Sequence, residues 1–316
     1  MDRRTFIKVS GAAGATALFP TPSEGANASK ERPAASGLLQ GVCDIHIHRE
    51  TNQEVLKLAG EAHKQGYKAL MLKPSVWPCH EAAQLANETY PGVRCFSGLI
   101  MNLAFGKQVN IEAARSALRA GNGVCRCIWM PTQQAAYPPT TEPGRIGPTI
   151  SVADTTRRIL PEVIRVMELC GEADAIFATG HSSPVESLEM ARIAHEMGFQ
   201  KLVVTHANSR IWRFTEDQVK QAVDLGAYME YCYLPRLWGP GTVFAKMSRQ
   251  SEEEFANYLR IAPERSFIST DLGARGMPEP VEGMRMCAEE LIASGIPQKT
   301  IDLLIRENPA KLLGIA

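Results

Sequence analysis

The sequence predicts one α/β domain, a closed (β/α)8 barrel over residues 41–316, and three observations carry that prediction. After residue 40, short apolar runs alternate with amphipathic stretches, the pattern of parallel strands joined by crossover helices. There are eight such runs, and the last is followed by a helical segment, as a closed ring of βα units requires. The chain has 316 residues, 45% of them hydrophobic, which is enough for one large core. The runner-up is an open doubly wound sheet, but no Gly-x-Gly-x-x-Gly follows the first run.

Taken in order, the strand-like runs are GVCDIHIH (41–48), KALMLKP (68–74), VRCFSGLIMN (93–102), GVCRCIWMP (123–131), AIFATGH (175–181), KLVVTHA (201–207), GAYMEYC (226–232) and SFISTD (266–271). Helix-like segments such as 52–66, 110–121, 184–198 and 251–263 lie between them, and several end in Gly just before the next run, the usual helix stop. Two connections are long and rich in Pro, Gly and aromatics, one after the fourth run and one after the seventh. Both leave the C-terminal ends of strands, where barrel active sites sit, and are expected to form lids or substrate walls.

Residues 1–28 read as a targeting segment rather than part of the fold. MDRRTFIKVS matches the Arg-Arg-x-Phe-x-Lys order of a twin-arginine export signal, and Ala26-Asn27-Ala28 offers a cleavage site. A flexible linker is expected over 29–40. Export by the twin-arginine machinery, which carries folded proteins, and residence in the periplasm follow as expectations. The 34 basic and 34 acidic residues cancel, so composition gives no support for a nucleic-acid partner. No apolar run is long enough for a stable membrane span. Self-association is open at this level. Of the eight cysteines, Cys43, Cys125, Cys127 and Cys232 fall in strand-like runs, and free buried thiols are expected.

Residues two apart on a strand share a face, so Asp44, His46 and His48 are expected to point into the barrel, with Cys43, Ile45 and Ile47 against the helices. His181 closes the fifth run, His206 the sixth and Asp271 the eighth. Four of the seven histidines and a carboxylate thus gather at one rim. Neutral imidazoles and a carboxylate suit a divalent ion, zinc first, with manganese, nickel or iron in reserve. Such an ion lowers the pKa of bound water from ~15.7 towards ~7, and Asp271 is placed to move its proton.

This order, His-x-His on strand 1, His on strands 5 and 6 and Asp on strand 8, resembles the amidohydrolase superfamily, and RENPAKLLGI at 306–315 is similar to a closing segment common there. The resemblance implies that His46, His48, His181, His206 and Asp271 hold metal and that Asp271 is the general base. The chain departs from two-metal members at strand 4, which ends in Trp129-Met130-Pro131 rather than a bridging lysine or glutamate. Lys73, inward at the end of strand 2, is either a carbamylated bridging ligand or a cation for a substrate carboxylate. Glu230 on strand 7 is either a second bridging candidate or a structural hydrogen-bond partner. One ion or two are both compatible with this reading; with one, His206 is freed to act on the leaving group.

Arg49, Arg126, Asn208, Arg210 and Glu230 are the expected substrate contacts, arginine being suited to carboxylate or phosphate. The leading function is a metal-dependent hydrolase of a small amide, cyclic imide, lactam, lactone or ester. A metal-dependent decarboxylase or hydratase of a small carboxylate, a phosphoester hydrolase and a metal-binding protein without catalysis are the alternatives, since one fold serves many chemistries.

Overall fold

The computed structural model describes residues 37–137, 148–212 and 214–316; the expected export signal, the linker up to residue 36 and residues 138–147 of the connection after the fourth strand lie outside the described residues. Eight strands form one sheet in chain order: β1 (Cys43–Ile47), β2 (Ala69–Leu72), β3 (Arg94–Ile100), β4 (Cys125–Trp129), β5 (Ile176–Ala178), β6 (Leu202–Val204), β7 (Tyr228–Cys232) and β8 (Ser266–Ser269). Every neighbouring pair from β1–β2 to β7–β8 is parallel. The Asp271 N–H donates to His46 O (2.9 Å) and the His48 N–H donates to Leu272 O (2.8 Å), joining the end of β8 to β1. The barrel of eight βα units is therefore present as the sequence pattern predicts.

The ring of helices is α1 (Asn52–Lys64), α2 (His80–Thr89), α3 (Ile111–Arg119), α4 (Pro161–Glu172), α5 (Pro184–Glu196), α6 (Glu216–Asp224), α7 (Glu252–Ile261) and α8 (Pro280–Ala293). Three of them open with a reciprocal capping box: Thr51 with Glu54, Ser183 with Glu186 and Thr215 with Gln218. These helices follow the strand ends that carry His48, His181 and His206. A side-chain cap therefore fixes where each histidine-bearing loop must stop.

Apolar residues form two shells. Cys43, Ile45, Met71, Ile100, Trp129 and Phe267 fill the inside of the barrel, while Leu70, Leu72, Ile128, Phe177, Val204 and Met229 pack between strands and helices. The C-terminal segment closes the base. Leu312 and Leu313 join the inner cluster, and Asn308 Nδ2 donates to Pro263 O (2.8 Å) and Ser266 O (2.7 Å). The Asn-Pro-Ala sequence near the C-terminus thus acts as a plug at the end away from the site.

One expectation about β1 is corrected. Its pairing with β2 shifts register between Asp44 and Ile47, and such a bulge flips the in–out parity of a strand. Cys43 and Ile45 consequently lie inside the barrel, Ile47 lies outside, and Asp44 does not share a face with His46. The cysteines follow expectation: all eight are buried and free. Burial pushes the thiols of Cys43, Cys79, Cys95 and Cys125 up to about 12.

Candidate metal centre

His46 is wholly buried at the centre of the C-terminal rim. Its Nδ1 lies 2.8 Å from Glu230 Oε1, and Glu230 also accepts from Ser269 Oγ at 2.8 Å. That contact fixes the ring and turns Nε2 towards the cavity, the arrangement by which a carboxylate behind a histidine orients a metal ligand. At Nε2 two partners compete: Asp271 Oδ1 at 2.9 Å and Lys73 Nζ at 2.8 Å. With a proton on Nε2, the Lys73 donor faces an N–H. Without one, the nitrogen lone pair faces a carboxylate oxygen. A neutral Lys73 amine facing an Nε2–H settles this with protons alone, and a cation shared by Nε2 and the carboxylate settles it equally well.

The other donors converge on the same carboxylate. His48 Nε2 is 3.0 Å from Asp271 Oδ1, and His206 Nδ1 is 3.6 Å from Oδ2. The His181 ring centroid lies 5.1 Å from that of His206. Ligand atoms of His46, His48 and Asp271 form one group able to hold an ion, and those of His46, His206, Glu230 and Cys232 form a second just beneath. Burial pulls the His206 imidazole down to about 3 and lowers His48, so their lone pairs are available at neutral pH. Burial alone raises the Asp271 carboxyl, but the adjoining His46 and His206 outweigh it and hold the group well below the carboxylate range. Two neutral imidazoles and an ionised carboxylate fit a divalent transition metal. Glu230 Oε2 is buried without a hydrogen-bond partner, so the cluster keeps an acceptor oxygen that its present contacts leave unsatisfied.

Backbone conformation supports the same centre. His206 and Asp271 both have φ of 56°, a left-handed conformation that costs a non-glycine residue about 1–3 kcal/mol and clusters at functional sites. Asp44, displaced outward by the bulge, holds one of them in place. Its carboxylate accepts from Thr270 N (3.0 Å) and Thr270 Oγ1 (2.6 Å), one residue before Asp271. Burial raises Asp44 to about 7 against the lowering effect of those Thr270 bonds. Asp44→Ala strands two buried donors and is expected to lower stability by about 2–4 kcal/mol, with Asp44→Asn costing less because one acceptor survives. Thermal denaturation of the metal-free variants measures this, and equal midpoints for Ala and wild type would show that the strut carries no load.

The site opens into a cavity of about 860 Å³ lined by His48, Lys73, His181, His206 and Asp271 at its floor. Of the expected substrate contacts, Arg49 reaches the lining, although its Nη2 is tied to Glu279 at 2.6 Å. The others lie elsewhere. Arg126 is at the opposite end of β4, 5.9 Å over the Phe96 ring. Asn208 pins β6 to β7, exchanging 2.9 Å bonds with the backbone of Cys232. Arg210 pairs with Glu254 at 2.5 Å in a separate hollow, and Glu230 sits behind His46, out of the cavity. The connection after β7 does form a wall, through Leu234, Trp238 and Phe244. Sequence reasoning missed Trp212, which stacks on His206 with centroids 5.1 Å apart; its position a few residues past the LVVTH strand end was the available signal.

Among the described residues no helix is long and apolar enough to cross a membrane. A twin-arginine translocation signal is matched at residues 1–20, which marks the chain for export by that machinery. No curated protein matches the chain in sequence. Solved structures of amidohydrolase-superfamily proteins share the fold. An amidohydrolase from Pseudomonas aeruginosa is 12% identical with a TM-score of 0.60, covering 87% of this chain and 96% of its own. An amidohydrolase from Burkholderia multivorans is 11% identical with a TM-score of 0.54, covering 87% and 99%. An inactive dihydroorotase-like domain from Chaetomium thermophilum is 13% identical with a TM-score of 0.51, covering 88% and 80%. The match that identifies the chain lies over residues 41–230, from the strand bearing His46 and His48 to Glu230, and by it the protein belongs to a family of unknown function, DUF6282.

Proposed function

We propose that this protein is a metal-dependent hydrolase, exported to the periplasm, that cleaves a C–N or C–O bond in a small amide, cyclic imide, lactam, lactone or ester. The observation that carries the reading is the approach of His46 and His48, each within 3.0 Å, to one oxygen of Asp271 at the floor of a substrate-sized cavity. His46, His48, His181, His206 and Asp271 are the residues proposed to hold the ion, zinc first. When bound, it supplies a Lewis acid and an acidified water. Asp271, ionised at neutral pH, accepts a proton on the cavity side and returns it to the leaving group. With a single ion held by the other ligands, His206, neutral, is free to hydrogen-bond the substrate carbonyl or leaving atom. Lys73, buried on the lining, offers a donor to a substrate carboxylate. That last feature favours the second reading, a decarboxylase or hydratase of a small carboxylate.

Elemental analysis of the purified protein, with and without added zinc, manganese or nickel, tests the centre. About one ion per chain supports the mononuclear reading, and two directs attention to a carbamylated Lys73. No ion after reconstitution sinks both. Glu230→Gln is expected to weaken metal binding about 10–100-fold by loosening the His46 ring, read by chelator competition. Assay of ester, lactone and anilide panels against small carboxylic acids then separates hydrolysis from decarboxylation.

A further inference from the structure

The wall of the cavity is not a loose loop. Leu234, Trp238 and Leu272 form a small core above the barrel, with Ile211, Phe244 and Met247 packed against it. Trp212 is held face to face with His206, 28° from parallel, and lies 4.5 Å from the His181 ring centroid. This side is rigid and apolar, and it abuts the histidines directly. The opposite side holds Lys73, His48 and Arg49, with Arg49 already engaged by Glu279. The fixed polarity of the cavity thus runs from a donor-rich floor to an aromatic wall.

Two groups on that wall lack a partner. Trp212 and Trp238 are 4% and 6% exposed, and the indole N–H of each is buried with no acceptor among the described residues. Buried donors in proteins are nearly always paired, because stripping water from an N–H without replacing it is unfavourable. Tryptophan is tolerated at such positions when one end is apolar and the other finds an acceptor. Both residues line the cavity while their nitrogens are closed off from it, so what they present to an occupant is apolar ring surface.

We infer that the substrate of this site is an aryl or cyclic apolar acyl compound, seated against Trp212, Trp238 and Phe244 with its scissile carbonyl over Asp271. The inference rests on the metal-hydrolase reading and narrows it. Groups seated against this wall are apolar, since the wall itself offers no compensation for desolvated polar groups. Specificity resides in the loops after β6 and β7, and the floor is indifferent to the acyl group.

Hydroxamates, which chelate a zinc ion through their own oxygens, separate the two parts of this claim. With zinc-reconstituted full-length protein in a calorimeter, benzohydroxamate is expected to bind about tenfold or more tighter than acetohydroxamate, the added ring being buried against the wall. Trp238→Ala removes the aryl gain and leaves acetohydroxamate unchanged. Acetohydroxamate binding with no aryl gain overturns the inference and leaves the metal centre standing. An aryl gain untouched by Trp238→Ala also overturns it, and failure of both probes on zinc-loaded protein overturns the metal reading together with it.

Discussion

Asp271→Asn is expected to retain the bound ion and the fold while lowering turnover of the best hydrolytic substrate by about 10²–10⁴-fold. The amide keeps an oxygen for the ion and for the contacts at 2.9 and 3.0 Å to His46 and His48. What it loses is the capacity to take a proton. Burial would favour a neutral carboxyl here, and the neighbouring His46 and His206 overcome that tendency, so the carboxyl of wild-type Asp271, the proposed base, is ionised at neutral pH. Metal content by elemental analysis, circular dichroism and kcat measured on the same preparations give the answer. Loss of the ion would recast Asp271 as a ligand first and a base second. Retained ion with full activity would remove it from the chemistry.

Gly180→Ala is expected to cost about 3–5 kcal/mol of stability, from backbone strain added to a clash that the surroundings cannot relieve. Gly180 has a φ of 61°, and an added Cβ would stand 2.2 Å from Met130 O and 2.6 Å from Pro131 O. Both obstacles are backbone. The next residue is His181, whose N–H donates to Pro131 O at 2.9 Å, so relief of the clash drags a proposed ligand from the rim. Urea denaturation measures the first effect and metal affinity the second. Unchanged stability would mean that β4 and β5 are not locked together at this point.

The barrel was legible because eight apolar runs alternate with helical segments, and that rhythm survives any local irregularity. That His46, His48, His181, His206 and Asp271 lie at one rim was legible for a related reason: each lies at or near the end of a run, and strand ends in a barrel share one rim. The facing of β1 was not. A bulge is one extra residue within an otherwise regular strand, and nothing in CDIHI signals it, so Asp44 was assigned to the wrong face. Arg126 shows a second limit, since inward or outward parity does not say how far along the strand a residue lies, and Arg126 sits near the start of β4. Asn208 and Arg210 follow His206 directly but are consumed by β7 and α7 respectively. Trp212 escaped because loop conformation carries no periodicity to read.

The eight buried thiols have a bearing on how long the protein lasts outside the cytoplasm. A thiol reacts as its thiolate, and burial keeps Cys43, Cys79, Cys95 and Cys125 from ionising near neutral pH. A chain exported already folded carries this protection with it. Where the surroundings are oxidising, each opening of the barrel lays sulfur bare, and random pairing or oxidation then forbids return. The useful life of the molecule is accordingly a matter of kinetics, set by how seldom the barrel opens and only indirectly by the depth of its free-energy minimum. Ageing under oxidant should therefore follow the unfolding rate.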